Sequence, residues 1–215
     1  MSLKDKAYHY IRRQIAAQVL LPGAQIVEAQ IVEQTGLSRT PVRSALATLA
    51  YEGIVVLQPN KGAFVANPSP KEVRDTYEAL ILLEAYAIEL ACETITDEEI
   101  QKLTKIVEES KAIIKRKDFD AFLDNNIDFH MGYVSASRNK FIEKGIKESL
   151  LLSNIHLLVY DDFRETPYES FDTIREHQAI VDALYKRDKK QCRTVVIDHH
   201  RNTYETMKLP LALRL

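Results

Sequence analysis

The sequence predicts a mostly α-helical protein in two parts: three short helices closed by a β-hairpin in front, and an antiparallel all-helical bundle behind. Three observations carry this. Apolar residues recur at helical spacing through most of the chain. The one stretch where the pattern turns extended, residues 54–66, is split by Pro59-Asn60-Lys61-Gly62. Asn67-Pro68-Ser69-Pro70, with two prolines in three positions, forbids a continuous helix and divides the two parts.

The first helix shows in Ala7, Ile11 and Ile15, which form one apolar stripe, and Pro22-Gly23 closes it off. A second, shorter helix is expected to turn Val27 and Ile31 inward and to end near Gly36, a residue that takes the left-handed conformation of helix ends. A third starts at Ser38, whose hydroxyl is placed to cap it, with Pro41 in its first turn, where a missing N–H costs little. On this helix Val42, Leu46 and Leu49 gather on one side, while Arg39, Thr40 and Arg43 point about 100° away. After Gly53 come a β-branched run at 54–57, a turn at 59–62 and a second extended run at 63–66, together a two-stranded wing.

Two helices joined by a tight turn and followed by a wing form a winged helix-turn-helix. Its second helix lies in the DNA major groove with its N-terminal residues at the base edges. Arg39 and Arg43, one turn apart on the outward face, can each grip the O6 and N7 of a guanine. Ser38, Thr40 and the first-turn amides suit phosphates.

The charge distribution agrees. The 215-residue chain has a net charge of −2, but residues 1–70 hold seven basic against four acidic side chains, net +3, leaving −5 for the rest. A basic front joined to an acidic back places contact with a polyanion in the front alone. An apolar content of 46% supports packed cores and excludes a disordered chain. No apolar run reaches the length of a membrane span and the first residues lack a signal-peptide stretch, so a cytoplasmic protein is expected, without a membrane partner. Cys92 and Cys192 have no disulfide or zinc-knuckle spacing and read as buried, reduced thiols.

From Lys71 onward helical stripes continue, punctuated by a capping box at Thr96-x-x-Glu99 and by caps at Asp118 and Asp188. They divide into six helices near 70–93, 97–116, 119–137, 139–160, 169–187 and 189–207. The expected organisation is a winged helix-turn-helix DNA-binding domain at 1–67, a linker at 68–70, and a helical effector-binding and dimerisation domain at 71–215.

Three histidines lie on apolar stripes of three different helices. His130 continues Leu123, Ile127 and Val134; His177 continues Ile174, Val181 and Leu184; His199 continues Cys192, Val195 and Val196. A single core histidine is usually just hydrogen-bonded, but three converging neutral imidazoles need either several acceptors or one cation. His200 is rotated off its stripe and is expected at the surface, Asp128 faces away from His130, and His156 either lines the bundle or only packs.

The front part closely resembles the DNA-binding domain of the GntR family of bacterial transcription regulators. The matching pieces are Y-x-x-I-R at 8–12, L-P-G at 21–23, G-L-S-R-T-P-V-R-x-A-L at 36–46, L-x-x-E-G at 49–53 and N-K-G-A-F-V at 60–65. The resemblance implies DNA contacts by Arg39, Thr40, Arg43 and the wing tip at Lys61 and Gly62, with Ala29 standing where some members carry a basic or polar contact. The back part, through F-H at 129–130, S-A-S-R-N at 135–139 and E-H-Q-A-I-V-D-A-L-x-x-x-D at 176–188, is similar to the all-helical effector (FCD) domain of the FadR/VanR-type branch. The histidine spacings, 47 and then 22 residues, fit members that hold a divalent metal with three histidines and one acidic residue. Here that acidic position is Asn126. Leu83-Glu84 is present as in the branch, but Leu80 holds the position of an arginine that binds an effector carboxylate.

These readings converge on a ligand-responsive transcription regulator, a repressor of metabolic genes. It is expected to bind a palindromic double-stranded operator as a homodimer and to sense a small organic acid or related metabolite in a metal-containing helical pocket. The metal set is His130, His177 and His199 with Asn126 or a water; zinc suits it best, and nickel or manganese are compatible. The competing reading is a metal-dependent enzyme with a DNA-binding N-terminal module. Against it, no H-E-x-x-H or catalytic carboxylate accompanies the histidines.

Overall fold

A computed structural model describes residues 1–160 and 172–207. The front part opens with α1 (Leu3–Ala16), capped reciprocally by Ser2 and Asp5, and its stripe of Ala7, Ile11 and Ile15 is fully buried. Then come β1 (Gln25–Ile26), α2 (Glu28–Thr35), α3 (Arg39–Tyr51), β2 (Val55–Gln58) and β3 (Gly62–Val65). Gly36 ends α2 at φ 68°, the left-handed position expected of it.

Three details differ from expectation. The wing is a three-stranded antiparallel sheet of order β1-β3-β2, because Gln25 and Ile26 pair with Phe64 and Ala63. Two residues are too short a run for alternation to reveal. Val27 is 39% exposed and does not face the core; it follows buried Ile26 on β1 and precedes the first turn of α2, so strand alternation sends it outward. Ser38 occupies the N-cap of α3 in extended conformation, yet its side chain makes no cap hydrogen bond. The cause lies in the sequence: Pro41 stands at the third helical position, whose amide is a usual capping target, and proline has no N–H.

Six further helices follow among the described residues: α4 (Pro70–Thr94), α5 (Asp97–Lys115), α6 (Phe119–Ala136), α7 (Lys140–Tyr160), α8 (Asp172–Tyr185) and α9 (Lys189–Thr206). Their starts are chemically marked. Ser69 with Glu72 and Thr96 with Glu99 form capping boxes, and Asp118 and Asp188 accept from the amides of Ala121 and Gln191. The expected start of the fifth back-part helix at 169 lies outside the described residues. Helix α4 runs through the middle, packed on α6, α7 and α9, while α8 closes the bundle against α5 and α9.

The apolar core of the front part continues into the bundle. Helix α1 rests on α6 and α7, and Phe119, Phe122, Ile155 and Tyr160 join the same buried cluster as Ile11 and Leu49. Polar contacts fix the seam. Arg12 Nε meets Asp120 Oδ1 at 2.7 Å, Gln18 Nε2 donates to the Val159 carbonyl at 3.1 Å, and Tyr160 Oη donates to the Pro68 carbonyl at 2.7 Å. Cys92 and Cys192 are both buried free thiols, and burial, with Cys92 nearby, pushes the Cys192 thiol up to about 12. Such a thiol is protonated and unreactive at neutral pH.

Candidate functional site

The chain presents two separate constellations, one exposed and one buried. At the exposed one, Ser38, Arg39, Thr40 and Arg43 crowd the N-terminal half of α3 with their side chains toward solvent, opposite buried Val42, Leu46 and Leu49. Lys61 and Gly62 are exposed at the wing tip, where Gly62 has φ 101° and Asn60 φ 60°, so the turn uses backbone that favours glycine and asparagine. Two residues that sequence reasoning passed over hold this surface in shape. Glu28 Oε2 accepts from Arg43 Nε at 2.8 Å, leaving the terminal guanidinium nitrogens of Arg43 outside that contact. Gln25 Nε2 donates to the Lys61 carbonyl at 2.8 Å, tying the wing tip to β1. Ala29 is exposed on the first turn of α2 and brings no polar group.

The buried constellation lies inside the bundle, where α6, α8 and α9 bring His130, His177 and His199 together. All three are buried, and their ring centroids stand 5.3 Å (130 to 177), 5.2 Å (130 to 199) and 4.8 Å (177 to 199) apart. Imidazoles bound to one ion at about 2.0–2.1 Å put their ring centres roughly 5 Å from one another. The donor atoms fit as well. One ligating atom from each of the three histidines lies within 4.8 Å of the others. His177 Nε2 is buried without a hydrogen-bond partner, an uncompensated cost unless something occupies it. Phe129 stacks on the His177 ring at 4.0 Å and fixes its plane.

The outer nitrogens are also engaged as metal-ligating histidines require. His199 Nδ1 meets Glu176 Oε2 at 2.8 Å, and His130 Nδ1 meets Glu84 Oε2 at 2.8 Å. A carboxylate on one ring nitrogen holds the proton there and turns the other nitrogen toward the ion. Asn126 is buried on the same helix, and its Nδ2 lies 3.5 Å from Asn154 Oδ1, so Oδ1 is the end of the amide not spent in that contact. Asp128 is exposed, as its helical position dictates.

His200 departs from expectation. It is buried, only 3% exposed, with Nε2 3.1 Å from Glu84 Oε2. Helix α9 packs on α8 along one side and on α4 along another, so two consecutive residues both face the interior. Glu84 itself is fully buried on α4 and also receives the Tyr133 hydroxyl. Sequence reading noted it only as half of a Leu-Glu pair; its signal was a lone acid in the apolar run of α4. His156 is buried with Nδ1 unpartnered, tilted against the Tyr77 ring.

The electrostatics follow from burial and neighbours. Burial, then the facing His199, His130 and His200, hold His177 well below the usual imidazole range. Burial lowers His199 too, partly offset by Glu176. Burial alone would raise the Glu84 carboxyl, but His130 and His200 outweigh it and hold it well below the carboxylate range. Burial pushes His156 down to about 4. His177 and His199 thus favour the neutral imidazole and Glu84 the ionised carboxylate, the forms that suit a divalent ion.

Residues 3–65 match the family described as bacterial regulatory proteins, gntR family, and residues 75–202 match the FCD domain. The chain belongs to the GntR family. With its winged helix-turn-helix and its FCD domain it is a DNA-binding transcription regulator. It is 27% identical over 205 residues to an uncharacterized HTH-type transcriptional regulator, YdhC, of Bacillus subtilis, covering 94% of this chain and 89% of that protein. It is 27% identical over 186 residues to the gluconate operon transcriptional repressor of Bacillus subtilis, covering 83% and 74%. Among solved structures, Escherichia coli McbR/YncC shares the fold with a TM-score of 0.67 at 22% identity, covering 95% of this chain and 96% of that one. These relatives are regulators, not enzymes, so the enzyme reading falls away. No helix among the described residues is long and apolar enough to cross a membrane.

Proposed function

We propose that this GntR-family regulator is a metal-dependent repressor that binds a palindromic operator as a homodimer and releases it when a small organic acid enters the helical domain. Residues 1–67 carry the DNA contacts, through Ser38, Arg39, Thr40, Arg43, Lys61 and Gly62. Residues 71–215, joined through 68–70, carry the effector and dimer functions. The observation that carries the reading is the convergence of His130, His177 and His199, each from a different helix, with an unpartnered Nε2 on His177. These residues would hold one divalent ion, zinc by preference and nickel or manganese as alternatives, with Asn126 or a water beside them. When bound, the ion would supply a cationic point for an effector carboxylate. Three protein nitrogens leave a coordination position open for it, and Leu80 offers no competing cation.

The relatives named for a gluconate operon support a sugar-acid class of effector. Exposed Leu82 and Tyr86 on α4 and Phe141, Leu151 and Leu152 on α7, two helices that pack side by side, support a dimer face on the bundle. A dimer is also what sets two winged helices one DNA turn, or a multiple, apart. Since its partner is DNA, the protein works in the cytoplasm. The test is thermal melting of metal-free and zinc-loaded protein with a panel of hydroxy and sugar acids. Stabilisation by at least one acid in the loaded form alone supports the reading; equal shifts with and without zinc for every acid contradict it.

A further inference from the structure

The donor set raises a question of charge. Three neutral imidazoles and a neutral Asn126 give a divalent ion no inner negative ligand. A dication buried without counter-charge is costly. The structure holds an anion close by. Glu84, 0% exposed, sets Oε2 2.8 Å from His130 Nδ1 and 3.1 Å from His200 Nε2, and its Oε1 is buried with no hydrogen-bond partner. Leu80, one turn earlier on α4 and fully buried, brings it no cation. The carboxylate is therefore tied to the bundle through His130 Nδ1 and the Tyr133 hydroxyl.

We propose that Glu84 is the acidic group of this centre: it acts from outside the coordination sphere through His130, and so takes the part that an acid at position 126 would play from within. The proposal rests on the three-histidine reading above. Its logic is charge balance with orientation. With His130 holding its proton on Nδ1 toward Glu84, Nε2 is the nitrogen turned to the ion, as Glu176 arranges for His199. One dication, three neutral imidazoles and the two carboxylates Glu84 and Glu176 sum to zero. An added acid at 126 would leave the loaded cluster negative, so the asparagine completes a balanced set. His200 Nε2, from α9, lies 3.1 Å from the same carboxylate oxygen without a hydrogen bond to it. Glu84 is a positioning residue and touches neither ion nor effector.

The test is zinc affinity, read by competition with a chromophoric chelator on the full-length protein, together with the visible spectrum of the cobalt form. Glu84→Gln removes the charge at nearly constant shape and should weaken zinc about 10- to 100-fold, the range for loss of an outer partner. The metal-free variant should keep a wild-type circular dichroism spectrum. Adding Asn126→Asp to Glu84→Gln returns the negative charge to the inner position and should recover most of the lost affinity, with a changed cobalt spectrum because an oxygen has entered the coordination sphere. Should Glu84→Gln fold poorly, Glu84→Asp, which keeps the charge with a shorter reach, should fall less than 10-fold below wild type, whereas an affinity for Glu84→Asp equal to that of His177→Ala overturns the proposal. Equal zinc affinity in wild type and Glu84→Gln also overturns it while leaving the three-histidine centre standing, and a double variant no tighter than Glu84→Gln overturns the exchange of charge. A wild type that takes up no zinc removes the centre itself.

Discussion

The two constellations solve opposite physical problems. The α3 face and wing tip keep their polar groups in water, so their residues can be contiguous, and a six-residue stretch, Ser38 to Arg43, holds four of them. The histidine cluster hides polar nitrogens from water, so each needs a partner from another helix, and its members spread from Glu84 on α4 to His200 on α9. An exposed site is built by local sequence; a buried polar site is built by packing.

Acid should separate the two most strongly. Metal binding requires neutral imidazoles, so protons compete for His130, His177 and His199. Because burial holds His177 and His199 below the ordinary imidazole range, zinc should be kept through neutral pH and released only as the pH falls well below that range, as followed by chelator competition. In metal-free protein the same groups destabilise the fold in acid. The unfolded chain takes up protons through about pH 6.5 while the folded chain does not, so their stabilising contribution is complete above that pH and is lost as pH falls toward the folded values. For His156, with a folded value of about 4, the loss across this window is on the order of 3 kcal/mol, and urea melts of wild type and His156→Gln at pH 7 and pH 4.5 should differ in slope with pH accordingly. The exposed face contains no such group on α3, and an acid-driven loss there equal to that of the bundle would break the contrast.

Arg43→Ala should weaken operator binding by about 1–3 kcal/mol and relax base preference at one position per half-site, with zinc content unchanged. A titration at fixed salt showing wild-type affinity and preference would remove Arg43 from the base-reading set. The smallest effect is expected at Glu28. Its contact with Arg43 is exposed, so Glu28→Gln should alter affinity by less than about 1 kcal/mol while loosening discrimination at the Arg43 position, as read by competition between operator variants.

The same contrast explains what the sequence could reveal. The helices, the hairpin and the exposed polar face of α3 were legible because helical stripes, capping boxes and the Ser38-to-Arg43 run are local signals. The trio of histidines was legible because each replaced an apolar residue on a stripe. Glu84 and His200 also carried a signal, which was passed over. Glu84 stands four residues from both Leu80 and Ile88, so the buried stripe of α4 runs through it and its period marks an interior acid; His200 follows Val196 by one turn and Cys192 by two, and its surface placement came from counting half-buried Val195 into the α9 stripe. Ser38 failed as a side-chain cap for a reason present in the sequence, the proline three residues on, and β1 was too short for any period to show.

The central claim is that His130, His177 and His199 form a metal centre and are not ordinary core residues. The direct measurement is elemental analysis of protein purified without chelator or affinity nickel, repeated after metal is added back, on wild type and on His177→Ala. About one divalent ion per chain is expected in wild type and its loss in His177→Ala, since removing one of three ligands dismantles the set. The same sub-stoichiometric metal in both proteins under both conditions would contradict it.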